Sequence, residues 1–362
     1  MKIGILTFHR CINYGSYWQA RCLAEGLRVT GHDVVILDHG SRRIDAAEWK
    51  CAFHPTLPSA TPKADRPCYR RKIRRFLHAI DSLPLSGRFQ LDHPVEMECV
   101  DVVVVGSDEV WNLFHPWYGG CALFYGDGLR AQRLVSYAAS FGNYDASCGL
   151  AQVWAERLRM FERISVRDAH SRAIVENAIG VEPELVLDPC LQFPLEAGEH
   201  DGEHGRDESS GAYVAVYGHG FSAAFVAGVR RWARRKKLAL VSIGYRNDWA
   251  DRQWLDAGPL EFARCIAGAE AVATNFFHGC VFALAHGKPF VCEGSRYRWN
   301  KLRGLMAKVG GERHLLAEDT PADVYDGLLG EPLDPDIPQR IEQLRRSSQR
   351  YLERALAAPG FP

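Results

Sequence analysis

Short apolar runs of strand length alternate with segments of helix length along this chain, and the alternation occurs twice. The run Val102 to Val105 is entirely apolar, which is typical of a strand buried on both faces of a parallel sheet. Residues 196–210 are polar and mostly acidic, and they separate the first series from the second. The pattern predicts an α/β protein with two Rossmann-like domains of mainly parallel strands, facing each other across a cleft.

The predicted domain bounds follow from this alternation. Residues 1–195 form the N-terminal domain, with an irregular basic insertion at about 41–98, and residues 196–210 form a linker or exposed loop. Residues 211–330 form the C-terminal domain, and 331–362 contain a helix that packs along the body. Strands are predicted at 2–8, 33–38, 102–105, 134–138, 163–166, 184–187, 213–217, 239–243, 270–274 and 290–292, and helices at 16–29, 170–178, 225–236, 260–266 and from 281.

Composition excludes several classes of protein. Lys plus Arg number 44, as do Asp plus Glu, so no global charge favours nucleic acid. The 11 cysteines include no Cys-x-x-Cys pair, which indicates neither a zinc site nor a disulfide framework. No stretch approaches the roughly 18 apolar residues of a membrane helix, and the amino terminus does not resemble a secretory signal. We therefore expect a cytoplasmic protein without a metal or an integral membrane segment.

The insertion contains a basic helix, residues 70–77, whose charges have two interpretations. Ile73, Phe76 and Leu77 lie on one side of this helix, so its basic residues are expected to form a solvated face. The alternative is a role beside a charged acceptor.

The segment from Thr274 to Phe290 places a histidine between a predicted strand and a predicted helix. The carboxyl ends of parallel strands are where α/β proteins bind ligands, and a helix N-terminus attracts anions. His278 at such a turn can hold an anion and move a proton near neutral pH. The alternative is a structural histidine that caps the loop. Asn275 and Gly279 flank it and are further candidates for binding.

Three more segments end predicted strands with polar residues. Gly15 permits close backbone approach, and Ser16 is expected to cap the following helix. Asp108 is suited to hold sugar hydroxyls, or else it forms an Asx turn. Arg167 can clamp an anion with two hydrogen bonds, or else it pairs with Asp168. The remaining candidates at these strand ends are His9, Asn13, Gln19, Ser107, Trp111 and Asn112.

The strand-end segments contain six short motifs in order along the chain: Phe-His-x-x-x-Asn-Tyr-Gly-Ser from Phe8, Val-Gly-Ser-Asp-x-Val-Trp-Asn from Val105, Ser-Tyr-Ala-Ala-Ser-Phe-Gly from Ser136, Ile-Ser-Val-Arg-Asp from Ile164, Leu-Asp-Pro from Leu187 and Phe-His-Gly from Phe277. Taken together, these motifs resemble those of the polysaccharide pyruvyl transferase family, in the family's order over about residues 1–310. Three departures are visible: Tyr17 with Trp18 where smaller aliphatic residues are usual, Glu109 where glutamine is usual, and Phe276 where serine is common.

The resemblance implies an enzyme that moves the enolpyruvyl group of phosphoenolpyruvate onto hydroxyls of a sugar-containing acceptor. A pyruvate ketal forms, phosphate is released, and no cofactor is needed beyond phosphoenolpyruvate as co-substrate. On this basis His278 and Arg167 are the expected catalytic residues. Lys301, Arg296 or Arg298 is expected to add charge at the donor, and Lys288 is a weaker candidate. The acceptor and the oligomeric state stay open.

Two other functions fit the same architecture. One is a nucleotide-sugar glycosyltransferase, which needs an acidic partner for ribose in the second domain, where Glu293 is the candidate. The other is a binding protein that has kept the fold without turnover.

Overall fold

The computed structural model describes residues 1–193, 211–294 and 299–357. The chain divides into two compact units. The N-terminal unit comprises Met1–Trp49, Ile80–Phe193 and the chain from Ile341 onward. The C-terminal unit comprises Lys50–Ala79 and the described chain from 211 to Arg340. The predicted linker at 196–210 lies outside the described residues.

The N-terminal unit is built on a parallel sheet whose four strands lie in the order β2, β1, β5, β6. β5 is buried along nearly its whole length, as its run of valines predicts. Two shorter parallel pairs, β3 with β4 and β7 with β8, complete the unit's strands. The bounds are β1 Lys2–Leu6, β2 Asp33–Ile36, β3 His39–Gly40, β4 Phe89–Gln90, β5 Val100–Val105, β6 Ala131–Ser136, β7 Ser165–Val166 and β8 Glu184–Leu185.

The first helix, α1, begins earlier than the sequence predicts. Asn13 is its N-cap, and the side-chain oxygen of Asn13 accepts hydrogen bonds from the backbone N–H groups of Gly15 and Ser16. The expectation that Ser16 caps this helix is therefore wrong. The helices of this part of the chain are α1 Tyr14–Val29, α2 Arg42–Phe53, α3 Arg66–Asp81, α4 Gln152–Leu158, α5 Ala169–Ile179 and α6 Pro189–Gln192.

The C-terminal unit is built on six parallel strands in the order β11, β10, β9, β12, β13, β14. Numbered within the unit, this is the order 3-2-1-4-5-6 of a doubly wound Rossmann sheet. All four residues of β12 are buried. The strands are β9 Tyr213–Tyr217, β10 Ala239–Ile243, β11 Arg252–Trp254, β12 Ala271–Thr274, β13 Phe290–Glu293 and β14 Leu315–Leu316. The helices in this part of the chain are α7 Ala223–Lys236, α8 Pro259–Gly268, α9 Phe277–Ala285, α10 Trp299–Val309 and α11 Ala322–Gly330, and they are followed by α12 Asp336–Leu356.

The helix predicted to pack along the body belongs mostly to the N-terminal unit, and part of the insertion predicted in the N-terminal domain belongs to the C-terminal unit. From Ile341 onward α12 is part of the N-terminal unit, where the hydroxyl of Tyr351 donates to the carbonyl of Ser136 at 2.6 Å. Most of α3 is part of the C-terminal unit, where Arg71 pairs with Asp256 at 2.8 Å. The charge pattern of α3 does not reveal which of the two sheets the helix covers. Its arginines can stay in contact with water in either position.

The α/β class with mainly parallel sheets is confirmed. Among the described residues, none of the helices is both long and apolar enough to cross a membrane.

Candidate active site

The centre of the C-terminal sheet is a topological switch point, because β9 and β12 are neighbours from which the chain continues to opposite sides. Ligands of doubly wound proteins bind at the carboxyl edge of such a point. The side-chain amide of Asn275, directly after β12, donates to the carbonyl of His219, after β9, at 2.8 Å. The oxygen of the same side-chain amide, Oδ1 of Asn275, is buried and accepts no hydrogen bond from the described residues.

His278 lies in the first turn of α9, immediately beyond β12, so it belongs to the helix and not to the turn before it. Its N-cap residue, Phe276, supplies no capping hydrogen bond from its side chain. The first turn contains no acidic residue. A helix N-terminus without a capping side chain or acid favours an anionic ligand.

Gly279 allows this helix to start close to the strand. A Cβ atom on Gly279 would lie 2.1 Å from the hydroxyl oxygen of Thr274. That hydroxyl donates to the carbonyl of Tyr217 at 2.6 Å and accepts from the N–H of Phe276 at 3.1 Å. The glycine therefore fixes the place of His278 at the sheet edge.

Three aromatic side chains surround the same edge, and we call them the aromatic platform: His219, Tyr245 and Phe276. The ring centroids of His219 and Tyr245 lie 5.4 Å apart, those of Tyr245 and Phe276 5.1 Å, and those of His219 and Phe276 5.6 Å. All three residues keep part of their surface exposed. Sequence reasoning does not predict this group, because its members follow three different strands.

Lys72 of α3 is the second site feature that sequence reasoning missed. Its ammonium group donates to the carbonyl of Gly244 at 3.0 Å and lies 4.7 Å from the ring centroid of Tyr245. The residue is 4% exposed, and burial lowers its pKa to about 7. The predicted solvated basic face therefore contains one lysine that points into the C-terminal unit.

The N-terminal unit has its own switch point, between β1 and β5. The hydroxyl of Ser16 donates to Asp108 at 2.9 Å, and the hydroxyl of Thr7 donates to the carbonyl of Ser107 at 2.9 Å. Asp108 has a φ of 79°, an uncommon conformation for a residue with a side chain. Such strain gathers at ligand sites, so Asp108 stays a candidate there.

Arg167 is buried beside Asp108, and two carboxylates hold its side chain. Its guanidinium is 3.3 Å from Asp108 and 3.4 Å from Asp188, and its side chain is 3% exposed. Asp168 instead caps α5 and accepts from Ser140 at 2.7 Å. The alternative pairing of Arg167 with Asp168 is therefore not the arrangement found.

Comparison with known proteins agrees with these strand-end motifs. The sequence profile described as polysaccharide pyruvyl transferase matches residues 13–296, which include Asp108, Arg167 and His278. The chain belongs to the polysaccharide pyruvyl transferase family. None of the curated proteins matches the sequence significantly.

Two solved structures with TM-scores of 0.51 confirm the predicted α/β fold, but their low sequence identity carries no information on activity. A UDP-GlcNAc 2-epimerase from Methanocaldococcus jannaschii matches with TM-score 0.51 and 12% identity, covering 97% of this chain and 100% of that one. Another UDP-N-acetylglucosamine 2-epimerase matches with TM-score 0.51 and 13% identity, covering 100% and 98%. A glycosyltransferase of kitacinnamycin matches with TM-score 0.47 and 13% identity, covering 98% and 99%.

Several predicted site residues of this family member are core residues. Trp111 is fully buried, and its indole N–H donates to the carbonyl of Phe124 at 2.9 Å. Asn112 is 2% exposed and donates to Glu109 at 3.0 Å. Gln19 is fully buried and donates to the hydroxyl of Thr7 at 2.8 Å. These three residues therefore do not lie at an open edge as expected. Their aromatic and polar groups pack and form hydrogen bonds inside the protein instead.

His9 is also fully buried. One ring nitrogen contacts Asp38 at 3.0 Å and the other the carbonyl of Thr7 at 3.2 Å. Arg10 forms two further hydrogen bonds to Asp38. Burial alone would raise the pKa of Asp38, but its bonds to Arg10 and His9 hold that pKa well below its usual range. His9 thus contacts Asp38 and the backbone inside the protein, where the prediction had placed it in contact with a ligand.

The predicted donor cations of the family member fall in different places. Lys301 is half-buried in the first turn of α10. Arg296 and Arg298 lie outside the described residues. Lys288 precedes β13 and so lies at the amino end of that strand. His278, in the first turn of α9, lies at the opposite edge of the sheet, beyond the carboxyl end of β12. Of the residues at the N-terminal switch point, Asn13 and Asp108 keep exposed surface and Ser16 is 6% exposed.

Proposed function

We propose that the protein transfers the enolpyruvyl group of phosphoenolpyruvate to hydroxyl groups of a sugar-containing acceptor and so forms a pyruvate ketal. The observation that carries this proposal is His278, in the family's Phe-His-Gly motif, at the first turn of α9 beside the switch point. Membership of the polysaccharide pyruvyl transferase family supports the reaction class.

The reaction needs proton transfer but no oxidant or reductant. The oxygen of one acceptor hydroxyl bonds to C2 of phosphoenolpyruvate and loses its proton, while the methylene carbon gains a proton and becomes a methyl group. The bond from C2 to the phosphate oxygen then breaks, a second hydroxyl bonds to C2, and the proton of that hydroxyl leaves with the departing inorganic phosphate. A positioned acid/base group accelerates such proton transfers by about 10²–10⁴-fold.

We assign the proton transfer at the methylene carbon, or the holding of the donor, to His278. Phosphoenolpyruvate carries about three negative charges near neutral pH, so its site must supply positive potential. The N-terminus of α9 provides part of it, and Lys301 at the start of α10 is the described lysine that we assign to the same task. Arg296 and Arg298 remain predicted donor contacts.

Asp108, Ser16 and Asn13 are assigned to the hydroxyl groups of the acceptor. Asp108 offers carboxylate oxygens at a strand end, and Ser16 fixes one of them by a hydrogen bond. The guanidinium of Arg167 pairs with the carboxylate of Asp108, so we assign Arg167 the task of positioning that carboxylate. The reaction is proposed to proceed without a metal ion.

Product analysis tests this function. The protein is incubated with phosphoenolpyruvate and a panel of sugar acceptors, and in parallel with UDP-sugars and the same acceptors. Phosphate release together with an acceptor heavier by one pyruvate ketal supports the proposal. UDP release without consumption of phosphoenolpyruvate contradicts it and indicates a glycosyltransferase, and the absence of both reactions over the panel favours a binding protein.

A further inference from the structure

The aromatic platform of His219, Tyr245 and Phe276 has no part in the chemistry described above. Its members follow β9, β10 and β12, three neighbouring strands, and meet at the carboxyl edge of the sheet. The three rings touch one another, with centroid distances of 5.1–5.6 Å. Part of each residue nevertheless stays exposed, at the edge where doubly wound sheets bind ligands.

Interactions within the unit hold the platform in place. The ammonium group of Lys72 lies 4.7 Å from the ring centroid of Tyr245 and donates to the carbonyl of Gly244, the residue before it. The ring of Tyr217 packs against Tyr245 at 5.9 Å and against Phe276 at 5.0 Å. The carbonyl of His219 accepts from Asn275. A surface fixed in this way is preorganised, so a ligand loses little binding energy in ordering it.

The chemistry of the platform does not suit phosphoenolpyruvate, which is small and strongly anionic and needs charged donors. Partly exposed aromatic rings instead offer an apolar contact to a ligand that also has polar groups. A pyranose ring has a face of C–H bonds and a rim of hydroxyls, so it can pack on the rings while its hydroxyls reach neighbouring polar groups. Phe276 is also the N-cap of α9, two residues before His278.

We propose that the aromatic platform is the acceptor subsite and that one pyranose ring of the acceptor packs on it. This inference rests on the proposed transfer to a sugar. It makes Tyr245 and Phe276 specificity-determining residues.

Binding measured without phosphoenolpyruvate tests the subsite separately from turnover. Methyl pyranosides are titrated by NMR into the wild type, Tyr245→Leu, Tyr245→Phe and Phe276→Ser, with Trp49→Ser as a control for loss of an exposed aromatic residue in the N-terminal unit. We expect Tyr245→Leu and Phe276→Ser to weaken glycoside binding about tenfold, as the loss of one aromatic contact implies. Tyr245→Phe keeps the ring, so it retains binding, as does Trp49→Ser.

Binding of phosphoenolpyruvate, measured on the folded Tyr245 variants, is expected to change less than about twofold. Unchanged glycoside binding in Tyr245→Leu and Phe276→Ser overturns the inference, and so does an equal loss for glycoside and phosphoenolpyruvate in Tyr245→Leu. UMP is titrated as a further probe, and tighter binding of UMP that is lost in both variants indicates a nucleotide site instead. If glycoside binding follows the expected pattern but phosphoenolpyruvate is not consumed, the subsite stands and the proposed transfer fails.

Discussion

The side-chain amide of Asn275 donates a hydrogen bond of 2.8 Å to the backbone carbonyl of His219, and this bond joins the ends of β12 and β9. These two strands flank the switch point of the C-terminal sheet. The bond therefore links the aromatic platform to the loop that begins α9 and carries His278 into place. Because the ends of these two strands are fixed to each other, the site depends on close packing at this edge of the sheet.

The first prediction concerns that packing. Gly279→Ala places a methyl group 2.1 Å from the hydroxyl oxygen of Thr274, so α9 must shift. We expect the free energy of unfolding to fall by about 1–3 kcal/mol, as for other overpacked sites. Gly327→Ala in α11 is the matched control, since nothing lies within 4 Å of its added Cβ and alanine favours the helix. Urea unfolding measures both, and a Gly279→Ala protein as stable as Gly327→Ala would contradict the packing argument.

The second prediction concerns Arg167, whose buried guanidinium lies between Asp108 and Asp188. Its replacement by alanine leaves two carboxylates without their cation, which costs about 3–5 kcal/mol when a buried pair is broken. Arg354→Ala removes an exposed pair with Glu184 and should cost about 0–1 kcal/mol. Equal losses of stability in the two variants, measured by chemical denaturation, would show that Arg167 does not have this structural role.

The third prediction concerns Lys72. Burial lowers its pKa from about 10.5 to about 7, so between these values the unfolded chain binds more protons than the folded protein. The free energy of unfolding should therefore rise with pH from about 7 to about 10 because of this group. In Lys72→Met this contribution is absent. The difference in unfolding free energy between wild type and variant is measured at several pH values, and a difference independent of pH would place the ammonium group in water.

The fourth prediction concerns metal ions. We expect turnover in excess chelator to equal turnover without it, because cations of the chain and helix N-termini can balance the donor's charge. Complete loss of activity in chelator, restored by Mg²⁺ or Mn²⁺, would refute this and favour a glycosyltransferase.

The sequence predicted the strands of both sheets well, because each is a short apolar run and the parallel arrangement follows from alternation. The β5 valines and the position of β12 before His278 are examples. The sequence does not predict the short strands β11 and β14, since two or three residues are too few to show a strand pattern.

The sequence predicts that Asn275, His278 and Asp108 follow the ends of strands, because each position depends on a motif within one segment. The candidate site was not predictable where it depends on contacts between distant segments. Lys72 and Tyr245 are 173 positions apart, and neither position shows a pattern that differs from an ordinary helix or loop. Trp111 and Arg167 were identified as functional by residue type, but burial assigns the first to the core and the second to a carboxylate network.

The central claim, catalysis by His278, is tested most directly by the rate of phosphate release from phosphoenolpyruvate in His278→Ala. Circular dichroism and the unfolding midpoint establish that the variant is folded. The account predicts a rate about 10²–10⁴-fold below wild type at saturating acceptor, because a positioned acid/base group is lost. A folded His278→Ala protein that releases phosphate at the wild-type rate would contradict it.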